Sequence, residues 1–145
     1  MAEIRISHVD ERDNNWELSS PTFRVYLHGS GPGSTPGFTD TYDITGCDVV
    51  QVIDWAQRQA ADCLTYAIAL VVDDEAEEQR NPGRSRGLIW LVGMDGNDDV
   101  RLDDEGAAKQ QRMLDRRAHP VKVGEADEMP IDVLDPYNDG TRSRS

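Results

Sequence analysis

The sequence predicts an α+β domain in ββαββ order: one amphipathic helix packed on a small antiparallel sheet, followed by a largely disordered C-terminal tail. Three observations predict it. From Thr22 to His28, Phe23, Val25 and Leu27 alternate with Arg24, Tyr26 and His28, the period of a half-buried strand. Behind Asp48, the residues Val49, Val52, Ile53, Ala56, Ala60, Cys63 and Leu64 recur at helical spacing on one face. Finally, Tyr66 to Val72 and Leu88 to Met94 are short, nearly continuous apolar runs, the length of interior strands.

Each element has its own local cause. Trp16 and Leu18 suit a short strand that ends at Ser20-Pro21, because proline cannot donate to a ladder. The stretch Gly29 to Gly37 holds four further glycine or proline interruptions between its ends and reads as a long hairpin loop. Phe38 to Thr45 has the β-branched and aromatic content of the returning strand. Asp48 can accept hydrogen bonds from the first free N–H groups of the helix. Gln51, Asp54, Gln57, Arg58, Gln59 and Asp62 fall on its polar side, where Asp54, Arg58 and Asp62 at i, i+4 spacing form an ordinary surface ladder.

Asp73 to Gly87 reads as a charged connector and Asp95 to Gly106 as a solvated acidic turn. Ala107 to Arg117 suits a short helix with Asp104 as its cap. The organisation expected is an N-terminal arm over 1–15, a core over 16–104, and a short helix with a flexible tail over 105–145. Within that tail, Pro130 to Tyr137 is the one apolar island.

Charge narrows the function. The net charge is −13, which opposes binding to nucleic-acid phosphates and favours a basic partner. Residues 1–105 hold 21 acids and 8 bases, whereas 106–145 hold seven of each, so the excess acid lies wholly in the first part. No apolar run approaches the roughly 18 residues needed to span a bilayer, and the N-terminus lacks a signal-peptide pattern. A cytoplasmic location is the expectation. Cys47 and Cys63, without CxxC spacing, are expected to be two buried thiols.

The catalytic candidates fail on spacing or setting. The glycine loop lacks the lysine and following helix of a P-loop. Gly83-Arg-Ser85-Arg-Gly87 spells GxSxG but precedes a strand rather than a helix. Counting from Asp95, the sixth and twelfth positions of a calcium loop hold Val100 and Gly106 instead of Gly and Glu. His8, His28 and His119 have no zinc spacing. A Cys47–His28 pair is opposed by the hairpin register, which sets His28 near Phe38.

His28-Gly29-Ser30 at a strand end resembles the His-Gly-Ser/Thr element of ADP-ribosyltransferases. That resemblance implies a histidine helping to hold a nicotinamide dinucleotide; it covers three residues, and the helix that follows that strand in the family is missing.

The reading that follows is a non-catalytic acidic protein engaging a basic protein partner, of inhibitor, immunity or phage/bacterial accessory type. No cofactor, metal, nucleic acid or membrane enters it, and a homodimer is compatible with it. The contact residues expected are Asp73, Asp74, Glu75, Glu77 and Glu78 in one loop and Asp98, Asp99, Asp103 and Asp104 in another. Trp55, at the edge of the helix's apolar stripe, is the candidate anchor. The alternative is a small enzyme using His28 and the Gly29–Gly37 loop for ADP-ribosyl or nucleotide chemistry.

Overall fold

The computed structural model describes residues 3–29 and 37–133. Strands β1 (Thr22–Gly29), β2 (Phe38–Ile44), β3 (Leu64–Asp73) and β4 (Arg86–Val92) form an antiparallel sheet in the order β2-β1-β3-β4. The first hairpin pairs as its sequence implies, with His28 opposite Thr39 and Gly29 opposite Phe38. Residues 30–36, which hold most of the glycine loop, lie outside the described residues, as do 134–145 and hence the end of the apolar island.

Helix α1 (Val49–Ala60) starts with a capping box. Asp48 accepts from the Gln51 N–H and the Gln51 side chain accepts from the Asp48 N–H, so two otherwise orphaned donors are satisfied. The helix stops earlier than the apolar stripe suggests, at Ala61, whose φ of 49° leaves the helical region. Cys63 and Leu64 therefore fall outside it. Leu64 opens β3 and is buried, while Cys63 is exposed and donates its S–H to Asp62. The expectation of two buried thiols holds for neither cysteine fully, since Cys47 is half-buried.

One core lies between α1 and the sheet. Phe23, Val25 and Leu27 from β1 meet Leu64, Tyr66 and Ile68 from β3 and Val52, Trp55 and Ala56 from α1. Trp55 packs edge-on against Tyr42, ring centroids 5.6 Å apart. Trp16 and Leu18 form no strand and are exposed.

Two helices beyond α1 change the expected order to β-β-α-β-α-β-α. Helix α2 (Glu75–Arg80) occupies the connector, capped by Asp74, which accepts from the Ala76 and Glu77 N–H groups. Helix α3 (Asp104–Ala118) starts three residues before the expected Ala107 and is capped by Asp103 rather than Asp104. Among the described residues β4 pairs only with Ile68 to Asp73, so it is an edge strand rather than an interior one. Beyond its end α3 packs on β3 and buries Met113.

Gly93 makes that corner. Its φ is +73°, and a Cβ there would sit 3.2 Å from Ala67 Cβ and from Met113 Cγ and Sδ. Gly93→Ala is expected to cost about 1–3 kcal/mol, from left-handed strain plus overpacking. Denaturant unfolding of the two proteins measures it, and a loss within error of zero would refute the tight corner.

The chain after α3 is not wholly a free tail. Residues 119–133 form a strap across the polar side of α1. Gln57 donates to the Val121 carbonyl at 3.0 Å and accepts from the Val121 N–H at 2.6 Å, as a paired strand residue would. Asp54 accepts from the Met129 N–H and from Arg58, both at 2.7 Å, and Arg58 donates to the Met129 carbonyl. Met129 itself enters the core. Of the surface ladder expected at Asp54, Arg58 and Asp62, the Asp54–Arg58 pair forms, but the strap covers that side of the helix and makes the pair part of a clasp in which Asp54 is buried.

Candidate functional site

The expected contact acids fall into two groups at opposite ends of β4. One stands at the α2 end, where Asp73 pairs with Arg86 across the strands. The other follows the far end of β4. Seven residues of strand separate them, about 20 Å at roughly 3.3 Å per residue, so they do not merge into one patch.

The α2 group is largely committed to its own fold. Asp73 pairs with Arg86 at 3.0 Å, and Glu77 pairs with Arg80 at 2.8 Å. Asp74 caps the helix. Glu78 accepts from the Gly83 N–H, and its carboxyl is held below the ordinary glutamate value by that bond and a second to Ser85. Arg86 lowers Asp73 in the same way. Asp73, Asp74, Glu75 and Glu78 line an open cavity of about 440 Å³ with Gly83, Ser85 and Arg86. Glu75 alone in this group has no side-chain partner among the described residues.

The second group is built differently. Its loop is anchored from beneath and leaves carboxylates free above. His28 is 1% exposed on the sheet face opposite α1. Its Nε2 accepts from the Gly96 N–H at 3.3 Å, which requires that nitrogen to be unprotonated. The proton of the neutral ring therefore sits on Nδ1 and points at Thr39 Oγ1, 3.2 Å away. Burial pushes the ring's pKa below the ordinary histidine value, against a smaller opposing pull from Asp95.

Asn97 adds a second tie. Its Nδ2 donates to Thr39 Oγ1 at 2.8 Å, and its Oδ1 accepts from the Gly37 N–H at 2.9 Å. From α3, Gln110 donates to the carbonyls of Asp95 and Asp98 at 3.4 and 3.0 Å. Residues 95–98 are therefore fixed to β1, β2 and α3 at once.

On this support Asp99 pairs with Arg101 at 2.8 Å and Asp103 caps α3. Asp98, Asp104 and Glu105 are exposed and have no side-chain partner among the described residues. Glu105 was not among the expected contacts, although it stands beside Asp104 in the first turn of α3. Trp55, the expected anchor, is 4% exposed and belongs to the core. Both nitrogens of His28 are occupied by the fold, so its ring offers neither to a substrate.

Among the described residues no three His, Cys, Asp or Glu side chains converge as a metal site, and no helix is long and apolar enough to cross a membrane. No protein-family model, curated protein or solved structure matches the chain.

Proposed function

We propose that this is a non-catalytic binding protein that engages a basic protein partner, in the manner of an inhibitor, an immunity protein or a bacterial or phage accessory factor. The observation that supports it is the loop anchored at residues 95–98 and the first turn of α3 that follows it, which hold Asp98, Asp104 and Glu105 exposed without internal cations. Unpaired carboxylates on a fixed support lose little freedom when they meet a cation. They also raise the rate of encounter with a positive surface. The α2 group is a secondary contact, since all of its acids but Glu75 already have partners within the fold.

Affinity capture from the cells that encode the protein tests this, using wild type and Asp98→Lys/Asp104→Lys/Glu105→Lys. The triple change spares Asp103, whose capping bond α3 needs. Wild type is expected to retain a basic protein that the variant does not. With that protein purified, the reversal should slow association about tenfold or more at low salt. The difference should shrink as salt shortens the screening length to about 8 Å and below. Equal capture by both forms would sink the proposal, as would an unchanged association rate.

A further inference from the structure

We propose that the outer edge of β4 is a two-fold interface at which a second copy of this chain adds its own β4, antiparallel, to give one continuous sheet. This stands apart from the basic-partner reading and shares only Asp98 with it.

The two edges of the sheet differ in kind. β2 carries Thr39, Asp40, Thr41 and Asp43, and charged or polar side chains of this sort discourage further strands. β4 has no charge from Gly87 to Val92, and its one strand partner among the described residues is β3. Ile89, Trp90 and Leu91 are 52%, 37% and 42% exposed. An uncharged apolar edge of this length is a template for another strand.

Which strand fits is set by the side chains. Leu88 and Trp90 lie on the face opposite α1, where Trp90 rests on Tyr26 with ring centroids 5.1 Å apart. Ile89 lies on the α1 face, opposite Leu70 of β3. An added strand must therefore be apolar on both faces, and β4 itself has that pattern. With Ile89 opposite Ile89 of the second copy, Leu88 stands opposite Trp90 and Gly87 opposite Leu91, so large side chains meet smaller ones.

Charge selects the antiparallel sense. Arg84 and Arg86 precede or open the strand, and Asp95, Asp98 and Asp99 follow it. Two antiparallel copies bring the basic start of one to the acidic end of the other, twice by symmetry. The Arg84 and Asp98 side chains are the ones without partners among the described residues. A foreign basic strand would meet Arg84 and Arg86 as like charges, whereas a second copy meets them with acids.

Sedimentation velocity of the full chain over a concentration series tests the proposal. Wild type is expected to pass from monomer to dimer as concentration rises. Ile89→Lys, which sets two ammonium groups face to face at the axis, should stay monomeric while keeping the wild-type circular dichroism and thermal transition. Arg84→Glu should weaken the dimer by about 2- to 10-fold at low salt, and Arg84→Glu/Asp98→Arg should restore it. A wild type that is monomeric throughout would overturn the interface, as would an Ile89→Lys protein that dimerises normally. A dimer abolished by Ile4→Asp/Ile6→Asp but not by Ile89→Lys would assign the contact to the N-terminal arm and overturn it equally. Failure of the charge swap to restore association would overturn the antiparallel arrangement.

Discussion

Met129→Ala is expected to destabilise the domain by about 2–5 kcal/mol, the range for truncating a buried methionine without local collapse. Met129 is 4% exposed and joins the core from a strap that holds only a single 3-10 turn, Glu125–Asp127, after α3 ends at Ala118. Its backbone is gripped by Asp54 and Arg58, so the side chain has little freedom to close the space it leaves. Asp54→Ala removes the acceptor of the Met129 N–H and should cost about 1–3 kcal/mol by itself. Because both changes release the same strap, the double variant should lose less than the sum. Met129→Leu, which keeps the volume, should cost under about 1.5 kcal/mol. Urea unfolding of the four variants gives these values. A Met129→Ala protein within about 0.5 kcal/mol of wild type, the scale of an ordinary surface change, would mean that the strap is not docked in solution.

The clasp also shows what the sequence could not carry. Asp54, Gln57 and Arg58 have the spacing of a solvated helix face, and nothing local separates that case from a face awaiting a strap. Val121 and Met129 stand in short apolar alternations, Val121/Val123 and Met129/Ile131/Val133, broken by Pro120 and Pro130, and nothing in them names α1 as the surface they dock on. Elements whose cause is local were legible: the β1 alternation, the first hairpin and the N-cap at Asp48. Elements set by tertiary context were not. β4 reads as interior because it is apolar throughout, yet it stands at an edge. Leu64 continues the helical stripe, yet Ala61 breaks the helix and Leu64 begins a strand. The α2 helix was hidden because five charged or polar residues around a lone Ala76 gave it no apolar face to detect.

At the candidate site, composition located the acids but not their duties. Asp74 and Asp103 precede helices and cap them, a role that needs the helix starts to be known first. Arg86 and Arg101 neutralise Asp73 and Asp99, one across a strand pair and one within a turn. What remains free, Asp98, Asp104 and Glu105, emerges only after those pairings are placed. The support beneath was invisible for a stronger reason. His28 and Gly96 are 68 residues apart, and Gly37 and Asn97 are 60 apart.

That support carries the second large expectation, a pH dependence with one defined source. Folding holds His28 neutral, because burial lowers its pKa and its Nε2 is an acceptor for Gly96. The unfolded chain titrates near 6.5. The stabilisation is therefore fully present above that value, declines as the unfolded state takes up the proton, and is lost as pH falls through the lowered folded value. Asp43, Asp73 and Asp99 are also lowered, each by its arginine, but from a carboxylate value of 3.8, so their losses come at lower pH. His8 and His119 are exposed. Unfolding free energies measured from about pH 7.5 down to 5 should fall in wild type and stay nearly level in His28→Gln, whose amide can still accept from Gly96 without titrating. His28→Ala should lose about 2–4 kcal/mol even at the upper end, through a cavity and the loss of the bonds to Gly96 and Thr39. It should also loosen the 95–98 loop, seen as faster hydrogen exchange at Gly96. Parallel pH profiles for wild type and His28→Gln would show that the ring is not what fixes the acidic loop to the sheet.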